Sequence, residues 1–348
     1  MNLPALVSMD PPAHVFVIAE AGVNHNGSTE MALELVDAAA AAGADAVKFQ
    51  TFRADLLAAP RAPRAAYQRE ATGTTGGQLE MLRALELSGD AHRRLAAHCR
   101  ERGIEFLSSP FDAESIELLA TLGLKRLKVP SGELLDVPYL RRVAALGLPL
   151  IVSTGMATLA EVGTALAVLE AAACPRERVI ALHCSTEYPT PPADANLRAM
   201  VTMRDALGVA VGYSDHTEGI TVAVAAAALG AEVIEKHLTL DRGLPGPDHR
   251  ASLEPGVFGE MVQAVRVVEL ALGDGLKQPT AGELDNVAAA RKSIVAARRI
   301  AAGETLGPDN LTVKRPGTGL SPLRWDDVVG LRASRSYQPD DAIEEPLP

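Results

Sequence analysis

The sequence has no basic block: lysine and arginine number 33 against 44 aspartates and glutamates, for a formal net charge of -11 and a pI near 5.3. That balance argues against general binding to nucleic acid or to an anionic membrane surface. Cations that serve an anionic substrate must then be concentrated locally. Cysteine is scarce: Cys99, Cys174 and Cys184 are odd in number and show no CxxC spacing. A reduced, cytoplasmic setting follows, and none of the three has the surroundings of a nucleophile. Long apolar runs are missing too. The longest, Ile220 to Gly230, is rich in alanine and falls short of the roughly 20 residues that span a bilayer, so a buried helix is expected there. The opening MNLPALVSMDPPAH has neither a basic region nor a long apolar stretch, so it reads as a loose lead-in and not as a secretory signal.

With 348 residues, 47% of them hydrophobic, the chain can bury a large core and suits a large domain followed by a small one. From residue 15 onward, short aliphatic runs alternate with longer amphipathic segments. The runs are VFVIA (15–19), DAVKF (45–49), IEFLS (104–108), KRLKV (125–129), LPLIV (148–152), VIALH (179–183), VAVGY (209–213) and EVIEK (232–236). Eight strands with helical patterns between them predict a closed (β/α)8 barrel, a TIM barrel, over residues 1–275. A linker over 276–289 then leads to a small, turn-rich β domain over 290–348, built from pieces such as SIVAA, LTVKR and VVGLRA. Such a domain buries little core alone, which predicts docking onto the barrel or onto a second chain.

Ser28 is placed to cap a helix beginning at Thr29, and Gly43, Gly103, Gly123, Gly147, Gly208 and Gly230 stand where helices should stop. One connection breaks the pattern. Between Thr51 and Gln78, arginines, prolines and the run TGTTGG replace any helical period, and a long irregular loop on that face of a barrel is a candidate lid.

Barrel enzymes carry their chemistry at the carboxyl ends of the strands. Here those positions read Glu20, Asn24 and His25; Lys48 and Gln50; Ser108 and Ser109; Lys128, Ser131 and Glu133; Ser153, Thr154 and Met156; His183, Ser185, Thr186 and Tyr188; Ser214, Asp215 and His216; Lys236, His237 and Asp248. Lys48 and Lys128 with Ser109, Ser131, Ser153 and Ser214 supply two cations and several hydroxyl donors, the equipment for holding a phosphate and a carboxylate. Glu20, Glu133 and Asp248 are carboxylates available for proton transfer. His216 and His237 each follow an apolar run, so neighbouring strands ending together would bring both imidazoles to one divalent ion. Two protein ligands would leave coordination positions for substrate and water, and the ion could polarise a carbonyl oxygen.

The segments IAEAGVNHNG, VKFQTF, SSPFD, KVPSGE, STGM, LHCSTEYPTP, GYSDHTEG, EKHLTLDR, GPDHRASLEP and KRPGTGLSP occur in the order found in sialic acid synthases and their legionaminic and pseudaminic acid relatives. The chain resembles that family from about Val15 into the C-terminal domain. The resemblance implies a transferase that condenses phosphoenolpyruvate with an open-chain N-acyl amino sugar, N-acetylmannosamine or 2,4-diacetamido-2,4,6-trideoxymannose, to a nine-carbon α-keto acid, using Mn2+ or Mg2+. It further implies an antifreeze-like (SAF) C-terminal domain that reaches the partner's site in a domain-swapped homodimer. By resemblance, Lys48, Ser109, Lys128, Ser131, Ser153 and Ser214 would hold phosphoenolpyruvate, and His216 and His237 the metal. Glu20, Glu133, Asp248 and Tyr188 would surround the reacting carbons. Gln50, Met156 and, from the other subunit, Arg315 would contact the sugar.

The chain departs from the family at Ala71-Thr72-Gly73, where many members read NTG, and SSPFD replaces the commoner STPFD while keeping the hydroxyl. Ser185 and Thr186 fall where subfamilies vary, and the Glu-Tyr pair after them is closer to legionaminic-type enzymes. At this stage the acceptor stays open. The same condensation on a sugar phosphate or a secondary-metabolite aldehyde, and a non-catalytic carbohydrate-binding protein, are the competing readings.

Overall fold

The computed structural model describes residues 14–65, 67–69 and 76–344. It divides into two compact units, Met1–Asp274 and Gly275–Pro348. The opening segment and Ala71-Thr72-Gly73 lie outside the described residues.

The first unit contains the eight expected strands: β1 (Phe16–Gly22), β2 (Ala46–Thr51), β3 (Glu105–Pro110), β4 (Leu127–Val129), β5 (Leu150–Ser153), β6 (Val179–His183), β7 (Ala210–Asp215) and β8 (Val233–His237). They form one parallel sheet in the order β3-β2-β1-β8-β7-β6-β5-β4. Its two end strands, β3 and β4, lie side by side and bring the cylinder close to closure. Helices cover the outside, because a parallel sheet buried on both faces needs a crossover on each connection.

Side chains alternate along these strands, with a register shift after Glu20 in β1, and that period of two organises the layer above the plug. Val17, Ala19, Val47, Phe49, Val129, Val211, Tyr213 and Ile234 point outward into the main core beneath the helices. Ile18, Ala46, Leu107, Ile151, Leu182 and Val233 point inward and plug the barrel with an apolar layer. Two residues further along come Glu20, Lys48, Ser109, Ser153, Cys184 and Glu235, so the next layer up is mostly polar.

Helix boundaries follow the local chemistry. The Ser28 side chain accepts a hydrogen bond from Met31 N at the start of the helix Thr29–Ala41, and Asp112, Asp136 and Thr158 cap three later helices in the same way. The six glycines expected to stop helices all adopt the left-handed conformation, with φ from 60° at Gly208 to 90° at Gly230. The apolar run after Ile220 is the helix Thr221–Ala228. Among the described residues no helix is long and apolar enough to cross a membrane.

Two helices stand at the two ends of the stretch from Thr51 to Gln78. A short helix, Ala54–Leu57, and a longer one, Gln78–Leu85, pack Ala54, Leu79, Met81, Leu82 and Leu85 against Val23 and Phe52 in a satellite core. Leu79, Leu82 and Leu85 recur every three residues along the buried face of the second helix, and the two short helices share one small core.

In the second unit, β9 (Ser293–Ala296) and β10 (Leu311–Lys314) pair antiparallel. Single bridges join Val295 to Ala342, Ile300 to Tyr337 and Thr305 to Arg332. Ile294, Ile300, Leu306, Leu311, Val328, Tyr337 and Ile343 form its core. VVGLRA contributes an isolated bridge and not a full strand. Residues 276–289, expected as a linker, include a helical turn at Ala281–Glu283 and most of the helix Leu284–Ala290.

Candidate active site

A cavity of about 900 Å³ opens at the carboxyl ends of the strands, and the inward-facing polar layer forms its floor. Lys48, Ser109, Lys128, Ser131, Ser153 and Ser214 all line it. Lys48 Nζ lies 2.7 Å from Glu20 Oε2 and 3.8 Å from Glu235 Oε1, and donates to Ser109 Oγ at 3.4 Å. Lys128 Nζ donates to Ser153 Oγ at 2.7 Å and sits 3.2 Å from Glu235 Oε2. Ser214 Oγ donates to Glu235 Oε1 at 3.0 Å. Two buried ammoniums therefore face two buried carboxylates. Burial favours the neutral acid at Glu235, but Lys128 and Lys48 outweigh it and hold the carboxyl down to about 2. At Glu20 burial wins and the pKa rises despite Lys48. Burial opposes the Lys48 ammonium as well, yet Glu20 and Glu235 carry its pKa upward, while at Lys128 burial prevails and lowers it. An anion entering here meets lysines already engaged by carboxylates and must compete for them.

Ser131 occupies the helical turn Ser131–Glu133 after β4. Its Oγ accepts from Gly155 N at 3.0 Å and lies 3.4 Å from Cys184 Sγ. Gly155 has no room for a side chain: a Cβ there would fall 2.7 Å from Thr186 Cγ2, 2.9 Å from Ser131 Oγ and 3.1 Å from Cys184 Sγ. The next residue, Met156, has φ +64° and is 74% exposed at the cavity wall. Met156 thus combines a left-handed backbone with an exposed apolar side chain.

His216 and His237 meet as their places at the ends of β7 and β8 require, with ring centroids 5.3 Å apart. His216 Nδ1 bonds to the Ser185 carbonyl, which places the proton on Nδ1 and leaves the Nε2 lone pair available. His237 Nδ1 is buried, finds no hydrogen-bond partner among the described residues, and lies 3.9 Å from Asp248 Oδ2. Burial lowers His216 to about 4 and, with His216 and Lys48 adding to it, carries His237 well below the ordinary histidine range. Two neutral imidazoles with an orphaned ring nitrogen fit a borderline divalent ion. No cluster of three or more metal-binding side chains occurs among the described residues, so such an ion would take its other ligands from substrate and water.

Tyr188 stands over this pair, 4.1 Å from the His216 ring and 5.6 Å from the His237 ring, and stacks at 4.8 Å on Tyr67. Burial raises its hydroxyl well above the ordinary tyrosine range. Asp248 also lines the cavity, and burial with Glu20 nearby pushes its carboxyl up to about 7. Gln50 donates to Glu20 Oε1 at 3.2 Å.

Several expected positions are elsewhere. Glu133 is not among the cavity's lining residues. It ends the turn that carries Ser131, half-buried, and burial followed by the charges of Asp136 and Asp112 raises its carboxyl. Ser108 bonds outward to Thr51, which bonds to His92. Thr154 donates to Leu182 O, and the His183 ring bonds to Ala195 O. Asp215 and Lys236 pair with each other in full burial. Arg315 is exposed in the second unit, and its expected contact is with the site of another subunit. Glu235, Cys184 and Tyr67 are among the lining residues that the sequence did not single out for the site. Glu235 carried a usable signal, since it precedes the inward-facing His237 by one strand period.

Residues 35–277 match the NeuB family and residues 291–346 match the SAF domain. The chain is 46% identical over 329 residues to the N,N'-diacetyllegionaminic acid synthase of Campylobacter jejuni, covering 94% of this chain and 98% of that one. To the enzyme of the same name from Legionella pneumophila it is 47% identical over 321 residues, covering 92% and 90%. Among solved structures it resembles the N-acetylneuraminic acid synthetase of Leptospira borgpetersenii in complex with citrate, with a TM-score of 0.69, 33% identity, and coverage of 79% of this chain and 90% of that one. The chain belongs to the NeuB family.

Proposed function

We propose that this protein condenses phosphoenolpyruvate with an open-chain N-acyl amino sugar of the 2,4-diacetamido-2,4,6-trideoxymannose class, giving a nonulosonic acid of the legionaminic type and inorganic phosphate. The observation that carries the reading is the convergence of two lysines and four serine hydroxyls on one cavity floor beside a pair of neutral imidazoles. The relatives at 46% and 47% identity, both N,N'-diacetyllegionaminic acid synthases, support that acceptor class.

Lys48, Lys128 and the hydroxyls of Ser109, Ser131, Ser153 and Ser214 would hold the phosphate and carboxylate of phosphoenolpyruvate, and this fixes the face from which its C3 attacks the sugar aldehyde. A divalent ion, Mn2+ or Mg2+, held by His216 and His237 would supply Lewis-acid polarisation of a carbonyl oxygen. The new carbon–carbon bond leaves an alkoxide that needs a proton, and the water that adds at C2 must lose one. Asp248, pushed up to about 7, is suited to hold or release a proton at neutral pH, with Glu20 beside it. Collapse at C2 then expels inorganic phosphate and leaves the α-keto acid. Gln50, Met156 and Tyr188 would position the sugar, and Tyr188 also closes the imidazole pair from above.

A cytoplasmic homodimer with exchanged C-terminal units completes the proposal. Its support is apolar exposure after β4 and β5, where Met156, which lines the cavity, and also Leu135 and Leu159 are exposed. In such a dimer Arg315 of one subunit would reach the sugar in the other. Light scattering of the purified protein should report a dimer.

Phosphate release from phosphoenolpyruvate with Mn2+, run separately with the diacetamido-trideoxy sugar and with N-acetylmannosamine, tests the catalytic reading. Release that requires the first sugar is expected. Release with N-acetylmannosamine alone would make the protein a sialic acid synthase, and no release with either would overturn the proposed acceptor class.

A further inference from the structure

Strands β7 and β8 run in register, with Ser214 opposite Glu235 and Asp215 opposite Lys236. Successive rungs alternate between the two faces. Ser214 and Glu235 face the cavity and hydrogen-bond to each other, whereas Asp215 and Lys236 face outward, where their side chains are 0% exposed. The residues that follow, His216 and His237, face the cavity again. A fully buried ion pair thus sits directly behind the two imidazoles, one residue before each.

The pair does more than neutralise itself. Lys236 Nζ donates to Asp215 Oδ2 at 2.8 Å and to the carbonyl of Thr217. Asp215 Oδ1 accepts from Thr217 N at 2.9 Å and from Thr217 Oγ1 at 2.8 Å. The residue before His237 is therefore tied to the residues on both sides of His216. From the other side, the His216 carbonyl accepts from Thr190 N at 2.8 Å, which joins the same segment to the loop bearing Tyr188. A buried ion pair is weak as a source of stability, because desolvation offsets much of the attraction. As a clamp on two side chains that must converge it has a clear use.

We propose that Asp215 and Lys236 are positioning residues that fix the separation and orientation of His216 and His237, and that their principal output is affinity for a divalent ion. The inference rests on the reading of the two histidines as metal ligands. Outward-facing groups that hold metal ligands in place typically account for about 10- to 100-fold in metal affinity.

The test uses the full-length protein stripped of metal by dialysis, with Mn2+ binding followed by the electron paramagnetic resonance signal of the free ion. The double variant Asp215→Leu/Lys236→Met replaces the pair with apolar side chains of similar length and leaves no buried charge behind. It is expected to unfold cooperatively, to bind inorganic phosphate as the wild type does, and to bind Mn2+ about 10- to 100-fold more weakly. Wild-type Mn2+ affinity in the folded variant would make the pair merely structural and overturn the proposal. So would an equal loss of phosphate and Mn2+ binding, which is general loosening of the barrel. If the double variant does not fold, Asp215→Asn, isosteric and still able to accept from Thr217, decides by the same two titrations. Failure of the wild type itself to bind Mn2+ would remove the metal reading and the clamp together, an outcome distinct from wild-type affinity in the variant.

Discussion

Glu235→Gln should make the protein less stable and its anion site tighter. The carboxylate lies 3.2 Å from Lys128 Nζ and 3.8 Å from Lys48 Nζ. At an effective dielectric of about 20, a contact near 3 Å is worth about 5 kcal/mol gross, and breaking a buried pair by removing one partner costs about 3–5 kcal/mol net. The glutamine keeps the shape and can still accept from Ser214, so the loss is electrostatic and not steric. A bound phosphate then supplies the charge that Glu235 provided. If about 2 kcal/mol of the loss returns on binding, phosphate affinity rises roughly 30-fold. The assay is urea unfolding of wild type and variant across a phosphate series, where binding to the native state adds stability as RT ln(1 + [L]/Kd). The variant should start below the wild type and gain more from phosphate, so that the two curves converge. A variant stabilised by phosphate no more than the wild type would refute the idea that Glu235 competes with an anion for the two lysines.

Three further outcomes follow from the geometry. His237→Ala should lose most metal-dependent phosphate release while keeping its circular dichroism and cooperative melt, and wild-type turnover with metal supplied would take His237 out of the mechanism. Gly155→Ala should raise KM for phosphoenolpyruvate about tenfold, because its Cβ would lie 2.9 Å from Ser131 Oγ and 2.7 Å from Thr186 Cγ2 and relieving such overpacking costs about 1–3 kcal/mol; an unchanged KM would show that Ser131 can yield without consequence. His25, lowered by burial from 6.5 to about 4, binds fewer protons folded than unfolded across that interval. Its share of stability is complete above the unfolded pKa and is lost as pH falls toward the folded one, about 3 kcal/mol in all. His25→Asn should therefore lose less stability than the wild type between neutral pH and the low end of that window in urea melts, and parallel losses would assign the acid sensitivity to other groups.

Most of the barrel was legible because aliphatic runs and glycine stops are local signals. All eight runs became strands within a few residues, and Ser28 and Gly43 bound their helix as expected. The connection after β2 was less legible, since its four-residue helix Ala54–Leu57 is too short to show a period and is held by a satellite core shared with the helix Gln78–Leu85. At the site, residue type alone could not separate Ser109 from Ser108, or Glu235 from Lys236. The separation is made by the two-residue period of the strand, once one inward position is known. Ile18 plugs the barrel, so Glu20 faces the cavity; Leu107 does the same for Ser109, and Val233 for Glu235 and His237. That rule removes Ser108, Asp215 and Lys236 from the cavity and adds Glu235, using only residues present in the sequence. It stops at the strand end, where a turn such as Ser131–Glu133 follows its own hydrogen bonds, and this is why Ser131 faces the cavity while Glu133 is not part of its lining.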